Sequence, residues 1–237
     1  MKNQYFGDNR DLFKYDLITE IMLGMPVLDK FTFIPMLTPN DTRSDGDERD
    51  IRKTEAGFKN DDLVQFLRKT HLMKKENRDF RIIEEYFAKK QIKNEIYAGH
   101  GKKFFSHKDR ESYFNSIGHD LLRNSFVFLD PDNGLEIKIS TERHVLYSEI
   151  EELFKRTNQS KIVIMVIQFF PREKHDVYIQ RRLSKFSSLN HRYAWIADSN
   201  TVFFLLTKHD KYLADIKNIL KTYQMKYKKT IKIGDSQ

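Results

Sequence analysis

Apolar and polar positions follow two different periods along this chain, and the changes between them outline its elements. From Asp11 to Leu23, the residues Leu12, Phe13, Leu17, Ile18, Ile21 and Met22 recur at the spacing of one helix face. Asp8 or Asn9 can cap the start of that helix, and Gly24 stands where it should stop. FTFIPML follows as a short strand, which Pro35 should confine to an edge, bend with a bulge or end early. The polar, turn-rich TPNDTRSDGDERD reads as a surface loop. Residues 61–90 then carry Leu63, Phe66 and Leu67, followed by Ile82, Ile83, Tyr86 and Phe87. They predict one or two helices, dense in Lys and Arg, within a candidate insertion over 58–90.

From Lys93 onward the pattern becomes regular. NEIYAG, SFVFLD and KIVIMVIQFF read as strands; the last, nearly all apolar and β-branched, should be covered on both faces. HKDRESYFNSIGHDLL reads as a helix, as does TERHVLYSEIEELFKRT, opened by Thr141 and running through Val145, Leu146, Ile150 and Leu153. Lys174 to Phe186 is a third. RYAWIA and TVFFLL are strands separated only by Asp198, Ser199 and Asn200, a hairpin connection. A last amphipathic helix, with Tyr212, Leu213, Ile216, Ile219, Leu220 and Tyr223, leads into the basic tail KYKKTIKIGDSQ. Strand–helix units ending in a hairpin predict an α/β fold. Its sheet should be mostly parallel, with helices on both faces and one antiparallel strand at or near the edge. No repeat or low-complexity linker divides the chain, so 1–237 reads as a single domain.

Charge narrows the partners. A net charge of +8 over 237 residues points to an anionic partner, nucleic acid or phosphate, with a basic surface lacking any such partner as the plainer alternative. The chain has no cysteine, which excludes disulfides, thiolate chemistry and zinc–thiolate sites. The N-terminus has no apolar signal region and no run approaches a membrane span, so no membrane partner and a cytoplasmic address are expected.

The candidate chemistry centres on FVFLDPDNGLE, Phe126 to Glu136, where an apolar strand stops at an acid and a proline. In doubly wound sheets ligands sit beyond the carboxyl ends of strands, and Asp130 stands at such an end. Asp-Pro and Asp-Asn-Gly are also ordinary turn vocabulary. The order of an Asp-Pro-ended strand, helix, buried strand, helix and hairpin resembles the back half of a class I methyltransferase. YFGDNRDLFKYDLITEIM is similar to the opening of the 23S ribosomal RNA adenine-N6 methyltransferase family, a Gly-Asn-x-x-Asp-x-x-Lys-His element. Gly7, Asp11 and Lys14 match it, Asp8 stands in place of its asparagine and Tyr15 in place of its histidine. FFPRE is similar to that family's Tyr-Pro segment. The resemblance covers about the first 20 residues and roughly 125–206.

The resemblance implies a Rossmann-like methyltransferase fold and transfer of a methyl group from S-adenosylmethionine to an exocyclic amine of nucleic acid. Asp130 and Pro131 would orient the acceptor, which is catalysis by positioning, with Lys14 beside them. Gly7, Asp8, Asp11 and Thr38 would shape the cofactor site. Two departures stand out. Where the family has a glycine-rich turn, MLTPNDTRSDGD offers Gly46 alone, and Asp132 and Asn133 replace a Pro-aromatic pair. Phe169 or Phe170 could supply the missing π-face, or be a core or groove residue. Lys14 and Asp11 also fit an ordinary i,i+3 helix pair.

Two other functions fit the residues. A cofactor-free nucleic-acid-binding or regulatory module would keep the fold without the donor. A nuclease would hold Mg²⁺ on Asp130, Asp132 and Glu136 beside Lys138. Against it, only three residues separate Asp132 from Glu136, whereas such acids usually stand on separate strands. Lys102 and Lys103 in GHGKKFF, with Arg172, Arg181 and Arg182, are candidate phosphate contacts, against a solvated turn and helix face. His100, His107 and His119 have no ligand-like spacing, so no transition-metal site is expected.

Overall fold

Aromatic and β-branched runs form the strands: β1 (Lys30–Pro35), β2 (Asn94–Ile96), β3 (Ser125–Asp130), β4 (Gly134–Leu135), β5 (His144–Val145), β6 (Ile162–Phe169), β7 (Arg192–Ala197), β8 (Thr201–Thr207) and β9 (Lys232–Asp235). The helices are α1 (Asn9–Gly24), α2 (Asp61–His71), α3 (Ile83–Lys89), α4 (Arg110–Asn115), α5 (His119–Leu122), α6 (Tyr147–Arg156), α7 (His175–Ser188) and α8 (Asp210–Lys226). The structure is a computed structural model that describes residues 1–42, 51–99, 103–157, 161–228 and 230–235.

The main sheet runs β2-β1-β3-β6-β8-β7-β9, and β4 pairs with β5 in a small second sheet. β2, β1, β3 and β6 are parallel neighbours. β8 is antiparallel to both β6 and β7, and β9 is antiparallel to β7. The fold is thus a Rossmann-like α/β arrangement, mostly parallel at its centre and antiparallel at its C-terminal side.

Alternation along each strand divides the core between two faces. Phe126 and Phe128 join Phe31, Phe33, Val163 and Met165 under α1, α2, α3 and α8. Val127 and Leu129 join Ile34, Ile164 and Val166 under α4 to α7. β6 is buried along nearly its whole length, as its composition predicts.

Several expectations are corrected. Of the three outcomes open to Pro35 the early end holds and the edge does not: β1 lies between β2 and β3 and stops at Pro35, whose missing N–H falls on the last rung, opposite Asp130. Two strands, not one, run against the parallel set: β9 at the edge and, further in, β8, inserted between β6 and β7. Every residue from Thr201 to Thr207 is buried, so this strand needs cover on both sides. The basic tail is not only a tail, since Lys232–Asp235 pairs with β7 and closes that edge. HKDRESYFNSIGHDLL forms two short helices, because Gly118 takes extended backbone (φ −61°, ψ 145°) between them. Val145 belongs to β5, paired with Leu135, so α6 starts only at Tyr147. Residues 61–90 hold two helices joined by short 3₁₀ turns.

α1 is buried on nearly all sides, charged residues included. Such a helix must find partners for its charges inside the protein. Asp16 finds three: it accepts hydrogen bonds from Asn60 Nδ2 (2.8 Å) and from the hydroxyls of Tyr223 (2.8 Å) and Tyr227 (3.3 Å). This joins α1 to the cap of α2 and to α8. Burial pushes the Asp16 carboxyl from 3.8 up to about 6, against the hydrogen bonds from Asn60 and Tyr223. The folded chain therefore holds this proton more tightly than the unfolded chain. That stabilisation is complete below pH 3.8 and is lost as pH rises through about 6. Urea melts across that window should show unfolding free energy falling by up to about 1.4 kcal/mol per pH unit from this one group. Asp16→Asn should remove that component, and an unchanged slope would contradict the assignment.

Candidate functional site

The N-terminal element builds one wall of the site. Asp8 caps α1, its Oδ1 accepting from the backbone N–H of Arg10 (2.9 Å) and Asp11 (3.1 Å). Gly7 has φ +94°, and a Cβ there would lie 3.2 Å from His71 N and 3.3 Å from Leu67 O of α2. Glycine alone suits both the left-handed backbone and the close helix. The Gly7 N–H donates to Asp11 Oδ2 (2.8 Å), leaving Asp11 Oδ1 to accept from Lys14 Nζ (2.6 Å). Lys14 Nζ also donates to Asp130 Oδ2 at 2.9 Å, across 116 residues of chain. Asp11, Lys14 and Asp130 are all buried. Burial pushes the Asp11 carboxyl up, more than Lys14 pulls it down. Burial opposes the Lys14 charge, yet Asp11 and Asp130 outweigh it and hold the ammonium well above its usual range. Tyr15, at the histidine position of the resembled family, turns instead into the core against Phe6 and Phe87.

From β1 the chain passes to β2 on one side of the sheet and β3 on the other, so the topological switch point lies between β1 and β3. That crevice is closed. The Met1 amine donates to Met36 O (2.9 Å) and Asp130 O (3.2 Å), and the Thr38 N–H donates to Met1 O (2.8 Å). Thr38 Oγ1 donates to Asp132 Oδ2 (2.9 Å), while Lys2 Nζ reaches Asp41 Oδ2 (2.5 Å). Burial alone would raise Asp132, but the Met1 amine, Thr38 and Lys2 outweigh it and lower its pKa. A chamber of about 90 Å³ is left among Asp8, Asp11, Lys14, Asp130, Asp132 and Phe169.

Beyond the ends of β1 and β2, the Tyr113 hydroxyl donates to Pro35 O (2.5 Å) and the Phe105 N–H to Leu37 O (2.7 Å). About 20 Å³ remains there, between Tyr97, Lys103 and Phe105. A ligand the size of S-adenosylmethionine needs a pocket of roughly 300 Å³ or more. The described residues at the switch point do not fit that group. Thr38, expected to contact it, is engaged with Met1 and Asp132.

A cavity of about 650 Å³ opens instead beyond the carboxyl ends of β3 and β6. It adjoins the small chamber, because Lys2, Tyr5, Asp8, Arg10, Asp132 and Phe169 border both. The Arg10 guanidinium lies 4.9 Å over the Phe169 ring, and Phe170 stacks on His175 at 3.8 Å with the rings 5° apart. Gln168 pins the loop after Asp130: its Oε1 accepts from Leu135 N–H (2.8 Å) and its Nε2 donates to Asn133 O (3.1 Å). Gly134 makes room for it, with φ +112° and a hypothetical Cβ only 2.4 Å from Gln168 Oε1. On the opposite wall, Arg182 donates to Glu136 O (2.7 Å) and the Tyr147 hydroxyl (3.2 Å) and lies 4.8 Å over the Tyr178 ring. Burial, together with Arg110, Arg182 and Arg143, lowers the pKa of His144 beside it.

The sequence-derived candidates divide accordingly. Gly7, Asp8, Asp11, Lys14, Thr38, Asp130 and Pro131 come together around the closed crevice, and Phe169 and Phe170 line the open cavity. Arg182 does not lie on a solvated helix face; its guanidinium is buried against a carbonyl and a phenol. Arg181 is exposed and paired with Glu173 (2.5 Å), and Arg172 is exposed. Lys103 borders the small gap beyond β1 and β2, with Phe105, and does not line the large cavity. Lys102 and His100 lie outside the described residues, as do 43–50 of the expected loop, Gly46 among them.

The Asp130/Asp132/Glu136 cluster does not assemble. Glu136 Oε2 turns to the Tyr147 N–H at the start of α6 (3.0 Å), while Asp130 and Asp132 bind Lys14 and Thr38. Among the described residues no three His, Asp or Glu are placed to hold a metal ion. Sequence reasoning missed Arg10, Arg143 and Gln168. Gln168 had a readable signal, a lone amide inside an otherwise apolar buried run.

No family model matches this chain, and no curated protein matches it. Among solved structures it is similar to protein LPL1258 from Legionella pneumophila str. Philadelphia 1, of family-model DUF519. The two share 14% identity over 98% of this chain and 97% of that one, with a TM-score of 0.48. No described helix is long and apolar enough to cross a membrane.

The loop that floors the cavity depends on the Gln168–Gly134 fit. Gly134→Ala should destabilise the protein by about 1–3 kcal/mol, through its backbone conformation and the displaced amide. Gln168→Met should cost about 1–3 kcal/mol by leaving buried backbone groups of the loop unpaired. Urea denaturation of both variants checks this; losses within error of zero would show that the loop is held by other contacts.

Proposed function

We infer that this chain is a nucleic-acid-binding module on a methyltransferase-like α/β fold, whose ligand seat is the large cavity and not the switch point. One observation carries the reading: a ligand-sized cavity walled by aromatics and arginines adjoins a crevice closed by Met1 and the Lys14–Asp130 pair. Bases stack on aromatic faces whatever their sequence, and the partly exposed Tyr5, Phe169 and Phe170 line this cavity. Arg143 and Arg181 are exposed enough to meet phosphates, and arginine binds them with charge-assisted, often bidentate hydrogen bonds. The net charge of +8 supplies the long-range attraction. A cytoplasmic address goes with this reading.

A second reading, methyl transfer to an exocyclic amine, is favoured by the convergence of Gly7, Asp11 and Lys14 on Asp130. It requires the crevice to open for the donor. The arginine-walled cavity offers no substitute seat, since its charge repels a sulfonium.

Two measurements separate these readings. Single-stranded RNA and DNA should bind with an affinity that falls steeply as salt rises, reporting several displaced counterions. Arg143→Gln and Arg181→Gln should each weaken binding and reduce the slope by about one. Calorimetry with S-adenosylmethionine at millimolar concentration should give no heat. A salt-independent affinity would remove the nucleic-acid reading, and saturable heat with the donor would put methyl transfer in first place.

A further inference from the structure

The charges on the large cavity do not balance. Asp132 is shared among the Met1 amine, Lys2 and Arg143, the last only at 3.9 Å, and Glu173 is taken by Arg181. Among the described residues, Arg10 and Arg182 have no carboxylate partner. Arg10 rests on the Phe169 ring, while Arg182 is spent on a carbonyl, a phenol and the Tyr178 ring. With Asp8 counted, three carboxylates (Asp8, Asp132 and Glu173) face five cationic side chains (Lys2, Arg10, Arg143, Arg181 and Arg182), an excess of two positive charges on one cavity. A buried or half-buried cation without a counterion is costly, and a ligand that supplies the missing charge is bound the more tightly for it.

The cavity's shape adds a second constraint. Its inner end narrows to the small chamber, where Met1 and the Lys14–Asp130 pair form a wall, so a ligand that reaches inward stops there. About 650 Å³ is room for one nucleotide and part of a next, within the usual size of a small-ligand pocket. A phosphodiester inside a strand carries one negative charge, whereas a phosphomonoester carries about −1.5 to −2 at neutral pH. Only the latter matches the excess of two positive charges.

We propose that the cavity recognises a nucleoside phosphomonoester, presented either as the phosphorylated end of a nucleic-acid strand or as a free nucleotide. The base packs against the aromatic face formed by Phe169 and the Phe170–His175 stack, and the phosphate lies toward Arg10, Arg143 and Arg182. This rests on the nucleic-acid reading above for its strand-end form alone.

Fluorescence anisotropy on one labelled single-stranded oligonucleotide, with 5′-phosphate, 3′-phosphate or hydroxyl ends, tests it, with free nucleoside monophosphate as competitor. One phosphorylated form should bind at least about tenfold tighter than the hydroxyl-ended strand, the least that an added charge-assisted hydrogen bond provides. The monophosphate should compete at one molecule per chain. Arg10→Gln should bring the ratio of phosphorylated-end to hydroxyl-end affinity down to about one, the readout being that ratio and not the affinity of either form, and Arg143→Gln, at a more exposed position and with weaker binding overall, should lower the same ratio should Arg10→Gln fail to fold. Binding of the monophosphate without any oligonucleotide would support the inference with the free nucleotide as source, and would remove the nucleic-acid reading. Equal affinity for all ends, with no competition by monophosphate, would overturn the inference and leave that reading intact. No binding by any of these probes would overturn both.

Discussion

A lysine ammonium buried between two carboxylates joins the first helix of this protein to the end of its central strand. Lys14 on α1 and Asp130 on β3 are 116 residues apart, yet they meet at 2.9 Å with Asp11 completing the set. Moving such ions out of water is expensive, and mutual attraction offsets it only when the geometry is good and the remaining hydrogen-bonding positions are filled. Gly7 supplies one of those positions through its backbone N–H to Asp11. The conformation of residues 7–14 and the position of the Asp-Pro turn thus depend on each other. The pair adds a condition of register that apolar packing alone does not impose, because sliding α1 by one residue would bury Lys14 without a counterion.

That constraint decides where a ligand can go. A doubly wound sheet ordinarily leaves a crevice where its strand order reverses. Here Met1 and Thr38 bridge the ends of β1 and β3, Tyr113 caps Pro35, and the ion network takes the remaining depth. Among the described residues, a ligand-sized space lies beyond the ends of β3 and β6, next to the Asn133–Leu135 loop that Gln168 pins. The wall of that cavity carries an excess of arginine and aromatic side chains; in the chamber behind it Asp8, Asp11, Asp130 and Asp132 are matched by Met1, Lys2, Arg10 and Lys14.

Much of the scaffold was legible in the sequence because its strands obey simple rules. The uninterrupted apolar run at 162–167 announced a strand covered on both faces, and the three-residue Asp198–Asn200 break announced a hairpin. The first helix and its Asp8 cap were equally plain. What failed was context. Val145 has good helix neighbours, yet its pairing with Leu135 draws it into a strand. The basic tail shows no strand-length apolar run, but its Ile233 meets Ile196 at an otherwise open sheet edge. For the site, Lys14, Asp11, Gly7 and Asp130 could be named from local patterns, and the contact between them follows from the fold. The closure of the crevice was not legible, since it depends on where Met1 and Tyr113 land in three dimensions. Nor was the cavity, whose Arg10, Arg143 and Gln168 come from three separate segments.

The central claim is that Lys14 and Asp130 act as one unit, and a double-mutant cycle on Lys14→Met and Asp130→Asn tests it most directly. Lys14→Met should strand Asp130 as well as Asp11, Asp130→Asn should leave Lys14 with Asp11 alone, and in the double variant the Asp130 charge is no longer there to be stranded. The two losses of unfolding free energy should therefore fail to add, by at least about 1 kcal/mol. Additive losses would show that the two side chains stabilise the protein independently, and that the account built on their union is wrong.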